Sequence, residues 1–104
     1  MGTLTYGESN TTEIDDRALF HLQIVAGLKL RRREGFYLTL RARVGEPQRI
    51  TMWVDPSIPL VFTYQDERPL QVNKVWLDVL VDSSNSANGL ALIAEDAEEV
   101  TRLL

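Results

Sequence analysis

Two neighbouring stretches of the sequence alternate between apolar and polar residues, as strands with one buried face do. The apolar positions are Phe36, Leu38, Leu40 and Ala42 in the first stretch, and Ile50, Met52 and Val54 in the second. Because successive side chains of a strand point to opposite faces, the intervening positions form a second face. The members of that face are Tyr37, Thr39, Arg41, Arg43, Arg49, Thr51 and Trp53. The pattern therefore predicts a β-hairpin with one core side and one side rich in arginine and aromatic residues.

The rest of the chain supplies two helical patterns and several further strands. The expected elements are a strand at 3–6, a polar loop at Gly7–Thr12, a helix from Asp15 or Asp16 to Arg31, the strands 36–43, 49–54 and 60–65, a helix at 66–82, a strand at 90–94, and an amphipathic tail at 95–104. Consecutive strands favour antiparallel pairing. We therefore expect an α+β two-layer sandwich, with a mainly antiparallel sheet, two helices on one face, and the order β-α-β-β-β-α-β plus a short C-terminal helix. At 104 residues, the chain is expected to form a single domain spanning 1–104.

The open side of this sheet is the strongest indication of function. Aligning the third strand with the hairpin adds Val61 and Thr63 to the face and places Thr39, Trp53 and Val61 abreast. Tryptophan and arginine are enriched at interface hot spots, and large exposed apolar patches are unusual in monomers. The acidic tail with its apolar end complements this face in charge and hydrophobicity. We therefore expect the tail, from the same chain or a neighbouring copy, to cover Trp53.

Charge is distributed unevenly along the chain. Residues 29–49 contain seven basic and two acidic residues, a net charge of +5, whereas the remainder contains four basic and thirteen acidic residues, a net charge of −9. The overall charge of −4 disfavours a general nucleic-acid-binding domain. The chain has no cysteine, no apolar run of membrane-spanning length and no secretory signal pattern at its start. These features predict a cytoplasmic protein that does not interact with membranes.

Several segments resemble a family of short, uncharacterised actinobacterial proteins. The resemblance rests on the segments Glu13–Arg17, His21–Gln23, Lys29–Arg32, Trp53–Leu60, Asn73–Trp76 and Ser84–Leu90. Members of that family often carry the label "ATP-dependent DNA ligase". Such ligases store AMP on a lysine in a K-x-D-G motif. Neither lysine of this chain is in such a motif, because Lys29 is followed by Leu-Arg-Arg and Lys74 by Val-Trp-Leu. The resemblance thus implies an uncharacterised domain, and we expect no autonomous ligase activity.

The chain contains no convincing catalytic or metal-binding constellation. His21 is the sole histidine, and we interpret it as a boundary residue with a local hydrogen bond rather than a catalytic base. Asp15 and Asp16 are explained by capping of the first helix. We expect Asn73 to bind the backbone of a neighbouring loop, and Trp76 to lie in the core with Val72, Val79 and Leu80. No catalytic residue, cofactor or metal is therefore predicted.

Two functions fit this sequence. The first is a non-enzymatic binding or self-association module that uses the face around Trp53, with a second copy or an unknown protein as partner. The alternative is a nucleic-acid-associated accessory protein, related to DNA repair or ligation, that uses the patch of Arg41, Arg43 and Arg49. The two are distinguished by salt, because phosphate-driven binding weakens steeply as salt rises.

Overall fold

The computed structural model describes residues 1–41 and 49–103. The elements of this part are β1 (Gly2–Tyr6), β2 (Asn10–Ile14), α1 (Asp16–Arg31), β3 (Phe36–Arg41), β4 (Arg49–Val54), β5 (Leu60–Thr63), α2 (Lys74–Ser84), β6 (Leu90–Ala91) and α3 (Glu98–Thr101). The predicted α+β class and the short C-terminal helix are confirmed. The order differs from the prediction by one strand, β2.

The strands form two three-stranded sheets, so the expectation of one continuous sheet is wrong. The first sheet has the order β2-β1-β5 and is antiparallel throughout. The second has the order β4-β3-β6, in which β3 pairs antiparallel with β4 and parallel with β6. The predicted hairpin is therefore present, but its expected third strand belongs to the other sheet.

The connection after β4 explains why β5 leaves the hairpin. The Asp55 carboxylate accepts a hydrogen bond from the backbone N–H of Ser57 at 2.9 Å, which closes a tight turn. The backbone N–H of Asp55 donates to the Tyr6 hydroxyl at 2.9 Å, and the N–H of Gly7 donates to the carbonyl of Pro59 at 2.9 Å. Both ends of this connection are thus fastened to the end of β1, and the following residues pair with β1.

Strand β2 lies partly where a polar loop was predicted. Gly7 adopts a φ of 70° in the turn after β1, and the chain then returns along β1 from Asn10 to Ile14. Asn10, Thr11 and Glu13 are exposed, because β2 is at the edge of its sheet. An edge strand with few apolar residues produces almost no hydrophobic pattern, which is why its sequence looks like a loop.

The first helix follows the prediction and the second begins later than predicted. Asp15 caps α1 by accepting a hydrogen bond from the N–H of Ala18 at 3.3 Å. Asn73 caps α2 in the same way, accepting from the N–H of Trp76 at 3.1 Å. Residues 66–73 are therefore outside the helix, and Val72, predicted to face the core, is exposed.

A single hydrophobic core joins the helices to both sheets. Its members are Leu4, Ile14, Leu19, Leu22, Val25, Ala26, Phe36, Leu38, Leu40, Val54, Trp76, Leu80, Leu90 and Val100. Helix α3 packs against α2 and buries Val100 completely. The tail therefore does not cover Trp53 within its own chain, because its apolar contact is made with α2 instead.

Candidate interaction face

Strands β3 and β4 place six predicted residues of the open side in three directly opposed pairs. Tyr37 lies opposite Trp53, Thr39 opposite Thr51, and Arg41 opposite Arg49. We call these six residues the hairpin face. The neighbouring positions Phe36, Leu38, Leu40 and Val54 are buried as predicted, whereas Ile50, predicted for the same side, is exposed. The predicted alignment of Thr39 with Trp53 is wrong by two residues, a shift that leaves every side chain on the same face.

An aromatic pair forms one end of the hairpin face. The rings of Tyr37 and Trp53 meet edge to face with centroids 5.0 Å apart, and each residue is 50% exposed. Gly35 permits this position of the indole, because a Cβ atom there would lie 2.5 Å from Cζ2 of Trp53. The pair thus offers a preformed aromatic surface whose geometry depends on a neighbouring glycine.

Two arginines form the other end of the hairpin face. Between the two ends, the hydroxyls of Thr39 and Thr51 are 3.1 Å apart and hydrogen-bonded. Arg41 and Arg49 are both exposed, and neither makes an ion pair or side-chain hydrogen bond within residues 1–41 and 49–103. Directly opposed like charges destabilise a strand pair, so the arginine pair weakens this end of the hairpin. Arg43, predicted to join them, lies outside the described residues.

Val61 and Thr63 do not belong to the hairpin face. Both are exposed, but they are in β5, which pairs with β1 in the other sheet. The predicted placement of Val61 and Thr63 is wrong because the apolar pattern of a strand indicates its buried side and not its neighbouring strand. The two residues form a separate exposed strip.

A polar network that sequence reasoning missed joins the start of α1 to the tail. The Arg17 guanidinium binds the Glu95 carboxylate through two contacts, at 2.6 Å and 3.1 Å. It also donates to the carbonyl of Gln71 at 3.2 Å, and the amide of Asn73 donates to Glu95 at 2.8 Å. The hydrogen bonds from Arg17, and then from Asn73, lower the pKa of Glu95 below its ordinary value. The network holds the segment before α2 and the segment before α3 against α1.

His21 lies at the inner end of this network and is completely buried, not at a boundary as predicted. Its Nδ1 donates to the carbonyl of Arg17 at 2.7 Å, which confirms the predicted local hydrogen bond. Its Nε2 accepts from the backbone N–H of Asn73 at 2.9 Å. The prediction that Asn73 binds the backbone of a neighbouring loop is wrong, because its side chain caps α2 and donates to Glu95. Both ring nitrogens are therefore occupied in fastening α1 to the start of α2.

An open cleft of about 650 Å³ lies beside the network. Its walls include Asp15, Asn73, Trp76 and Glu95. Asp15 caps α1, while Asn73 and Glu95 bind one another. Trp76 contributes an indole whose Nε1 already donates to the carbonyl of Ile93 at 3.0 Å. These four side chains of the cleft are thus engaged in holding the fold together.

Within residues 1–41 and 49–103, no group of three or more histidine, cysteine, aspartate or glutamate side chains is arranged to hold a metal ion. In the same part of the chain, no helix combines the length and the apolar character needed to cross a membrane.

Comparison with known proteins identifies the family. Residues 1–95 match the family described as "Domain of unknown function (DUF7882)", so the chain belongs to it. The match covers both sheets, α1 and α2, and ends at Glu95, the acceptor in the network. Neither the curated proteins nor the solved structures contain a match to the chain.

Proposed function

We propose that this member of the DUF7882 family is a non-enzymatic protein-binding module that buries the hairpin face against a partner protein. One observation carries the proposal. The same two strands that anchor the core with one side present an aromatic pair, a threonine pair and an arginine pair with the other. Aromatic and arginine side chains dominate interface hot spots, and here a rigid sheet holds them in register.

The character of the face supports a protein partner. Trp53 and Tyr37 are large, half-exposed rings that are already held against each other, so little side-chain entropy is lost when they are covered. Arg41 and Arg49 extend the surface with two cations suited to an acidic or aromatic edge of the partner. The non-enzymatic part of the proposal draws support from His21, whose ring nitrogens are both engaged with the backbone.

Site-specific photo-crosslinking tests this function in cells that produce the full chain. A benzophenone amino acid replaces Tyr37 in the hairpin face, and in a matched control it replaces Val72, which is 46% exposed and outside that face. We expect illumination to yield a covalent protein adduct from position 37 and none from position 72, with the partner identified by mass spectrometry. Equal adducts from both positions, or no protein adduct at position 37, would contradict the proposal.

The opposed arginines favour one alternative function, a nucleic-acid-associated accessory role. Single-stranded nucleic acid is bound by stacking of bases on aromatic rings and by cations along the backbone, and the hairpin face carries both groups. The test is titration of a fluorescent oligothymidylate at two salt concentrations, with Arg49→Ala as the variant. Binding that weakens steeply with salt and is lost in the variant would support this function. A nucleic-acid adduct at position 37 would also favour it over a protein partner.

A further inference from the structure

Strand β4 is the longest unpaired edge among the described strands. It has six residues, and its only strand neighbour is β3. The edge strand β5 has four residues and follows Pro59, while β6 has two. β2 has five residues, of which Asn10, Thr11 and Glu13 are exposed polar side chains. Edge strands of soluble proteins are normally protected from pairing with another chain because they are short or contain proline or charged residues. β4 has the least of this protection.

The side chains of β4 also leave apolar surface uncovered along this edge. Trp53 is 50% exposed and Ile50 is 36% exposed, although Ile50 lies on the core side of the strand. The strand contains no proline, and its one charged residue, Arg49, is at its end. A six-residue strand with free backbone groups and exposed apolar side chains is a template for another strand.

We infer that β4 pairs antiparallel with β4 of a second copy of this chain, with Thr51 on the two-fold axis. This inference goes beyond the proposed function, because it concerns the free edge of β4 and leaves the side chains of β3 in the hairpin face uncovered. The pairing joins the β4-β3-β6 sheets of the two copies into one six-stranded sheet. It also places the two hairpin faces side by side. A two-fold axis generates the same contact twice, as expected for a homodimer.

The alternation of side chains limits the position of the axis. Directly opposed residues of an antiparallel pair point to the same side of the sheet, so only some registers keep both hairpin faces on one side. With Thr51 opposite the partner's Thr51, Ile50 lies opposite the partner's Met52, and both cores remain on the other side. Five residues of each strand, 49–53, are then paired.

A contact between an arginine and a tryptophan supports this register. Arg49 and Trp53 are each two residues from Thr51, on opposite sides of it. The pairing therefore sets Arg49 of each copy opposite Trp53 of the other copy. A guanidinium over an indole is a favourable cation–π contact. The contact also gives a partner to the arginine that opposes Arg41 within its own chain. The two ends of the hairpin face are thus complementary to each other across the axis.

A single-cysteine variant tests the register directly, because the chain has no cysteine of its own. Opposed residues of antiparallel strands have Cα atoms about 4.5–5.5 Å apart, within the range that a disulfide spans. Oxidation of Thr51→Cys with diamide should therefore convert most of the protein to a covalent dimer on non-reducing gels. The matched control is Thr11→Cys on the exposed edge strand β2, which should remain largely monomeric. Equal cross-linking of the two folded variants would overturn the inference.

A second variant tests the same pairing without cross-linking. Two exposed cation–π contacts per dimer correspond to a roughly 5- to 30-fold effect on the dissociation constant. Sedimentation should therefore show a weakening of that order in Arg49→Ala, and none in Arg32→Ala, which alters an exposed arginine after α1. A monomeric wild type, or equal effects of the two substitutions, would refute the pairing. The adduct at Tyr37 is a separate readout, because Tyr37 is on β3 and not at the paired edge. A protein adduct without dimerisation would leave the proposed function intact, and dimerisation without an adduct would leave only the pairing.

Discussion

The imidazole of His21 stacks on the indole of Trp76, with ring centroids 4.3 Å apart and planes inclined by 29°. His21 is in α1 and Trp76 is in the first turn of α2, so the stack joins the two helices. The backbone N–H of Asn73, the residue that caps α2, donates to the same imidazole. Helix packing, helix capping and a buried histidine are therefore parts of one arrangement.

The two tryptophans of the chain should differ greatly in their importance for stability. Trp76 is 1% exposed and Trp53 is 50% exposed. We expect Trp76→Ala to lower the free energy of unfolding by about 3–5 kcal/mol, because it leaves a cavity in the core. Trp53→Ala should lower it by less than about 1 kcal/mol, as surface substitutions do. Urea denaturation followed by circular dichroism measures both, and similar losses in the two variants would contradict these positions.

The hairpin was predictable from sequence because both of its strands have one buried side. The period-two pattern of residues 36–41 and 49–54 identifies the open side correctly, including Trp53 and Arg49. The same pattern is unchanged by a shift of two residues, which is why the predicted partner of Trp53 was Thr39 rather than Tyr37. The pattern also does not specify the sheet to which a strand belongs. The sheet that β5 joins depends on hydrogen bonds from Asp55 and Gly7 to distant residues.

The missed polar network had a weaker signal in the sequence. Asn73 stands three residues before Trp76, a spacing that is typical of a helix N-cap, and this could have located the start of α2. The contact of Arg17 with Glu95 joins residues 78 positions apart. No local pattern predicts such a pair, because its geometry depends on how α1 and the tail pack around the core.

Stability should fall in acid through protonation of Glu95. Hydrogen bonds from Arg17, and then Asn73, lower the pKa of Glu95 in the folded protein. A carboxylate with a lowered folded pKa contributes stability above its unfolded pKa of about 4.3, and this contribution is lost as pH falls through the folded value. Because both side chains of the ion pair are 37% exposed, we expect screening to limit the loss to less than about 1 kcal/mol.

The measurement is the free energy of unfolding in urea between pH 7 and pH 3, for the wild type and for Glu95→Gln. Glutamine retains an acceptor oxygen for Asn73 but has no charge to titrate. The difference between the two proteins should therefore shrink as the solution becomes acidic. A constant difference over this range would show that the charge of Glu95 does not contribute.

Gly35→Ala should disturb the aromatic end of the hairpin face while leaving the core in place. The added methyl would lie 2.5 Å from Cζ2 of Trp53 and 3.2 Å from the carbonyl oxygen of Val54, so the indole must move. We expect Trp53 to lose its edge-to-face contact with Tyr37 and its fluorescence to shift towards the red. The comparison is made in a Trp76→Phe background that remains folded, so that Trp53 is the sole emitter. Unchanged emission would mean that the indole does not rest against Gly35.

Substitution of two glycines by alanine should change stability in opposite directions. Gly27 is within α1, where an added Cβ meets nothing within 4 Å, so Gly27→Ala should raise the free energy of unfolding by about 0.5–1 kcal/mol through helix propensity. Gly89 has a φ of 82°, and a Cβ there would lie 2.5 Å from the carbonyl oxygen of Tyr37. Gly89→Ala should therefore lower the free energy of unfolding by more than about 1 kcal/mol. The left-handed backbone and the close approach of the chain to β3 both exclude a side chain. Urea denaturation of both variants and the wild type shows whether each substitution raises or lowers the free energy of unfolding. A stabilised Gly89→Ala would show that the segment entering β6 does not lie against β3 as the structure places it.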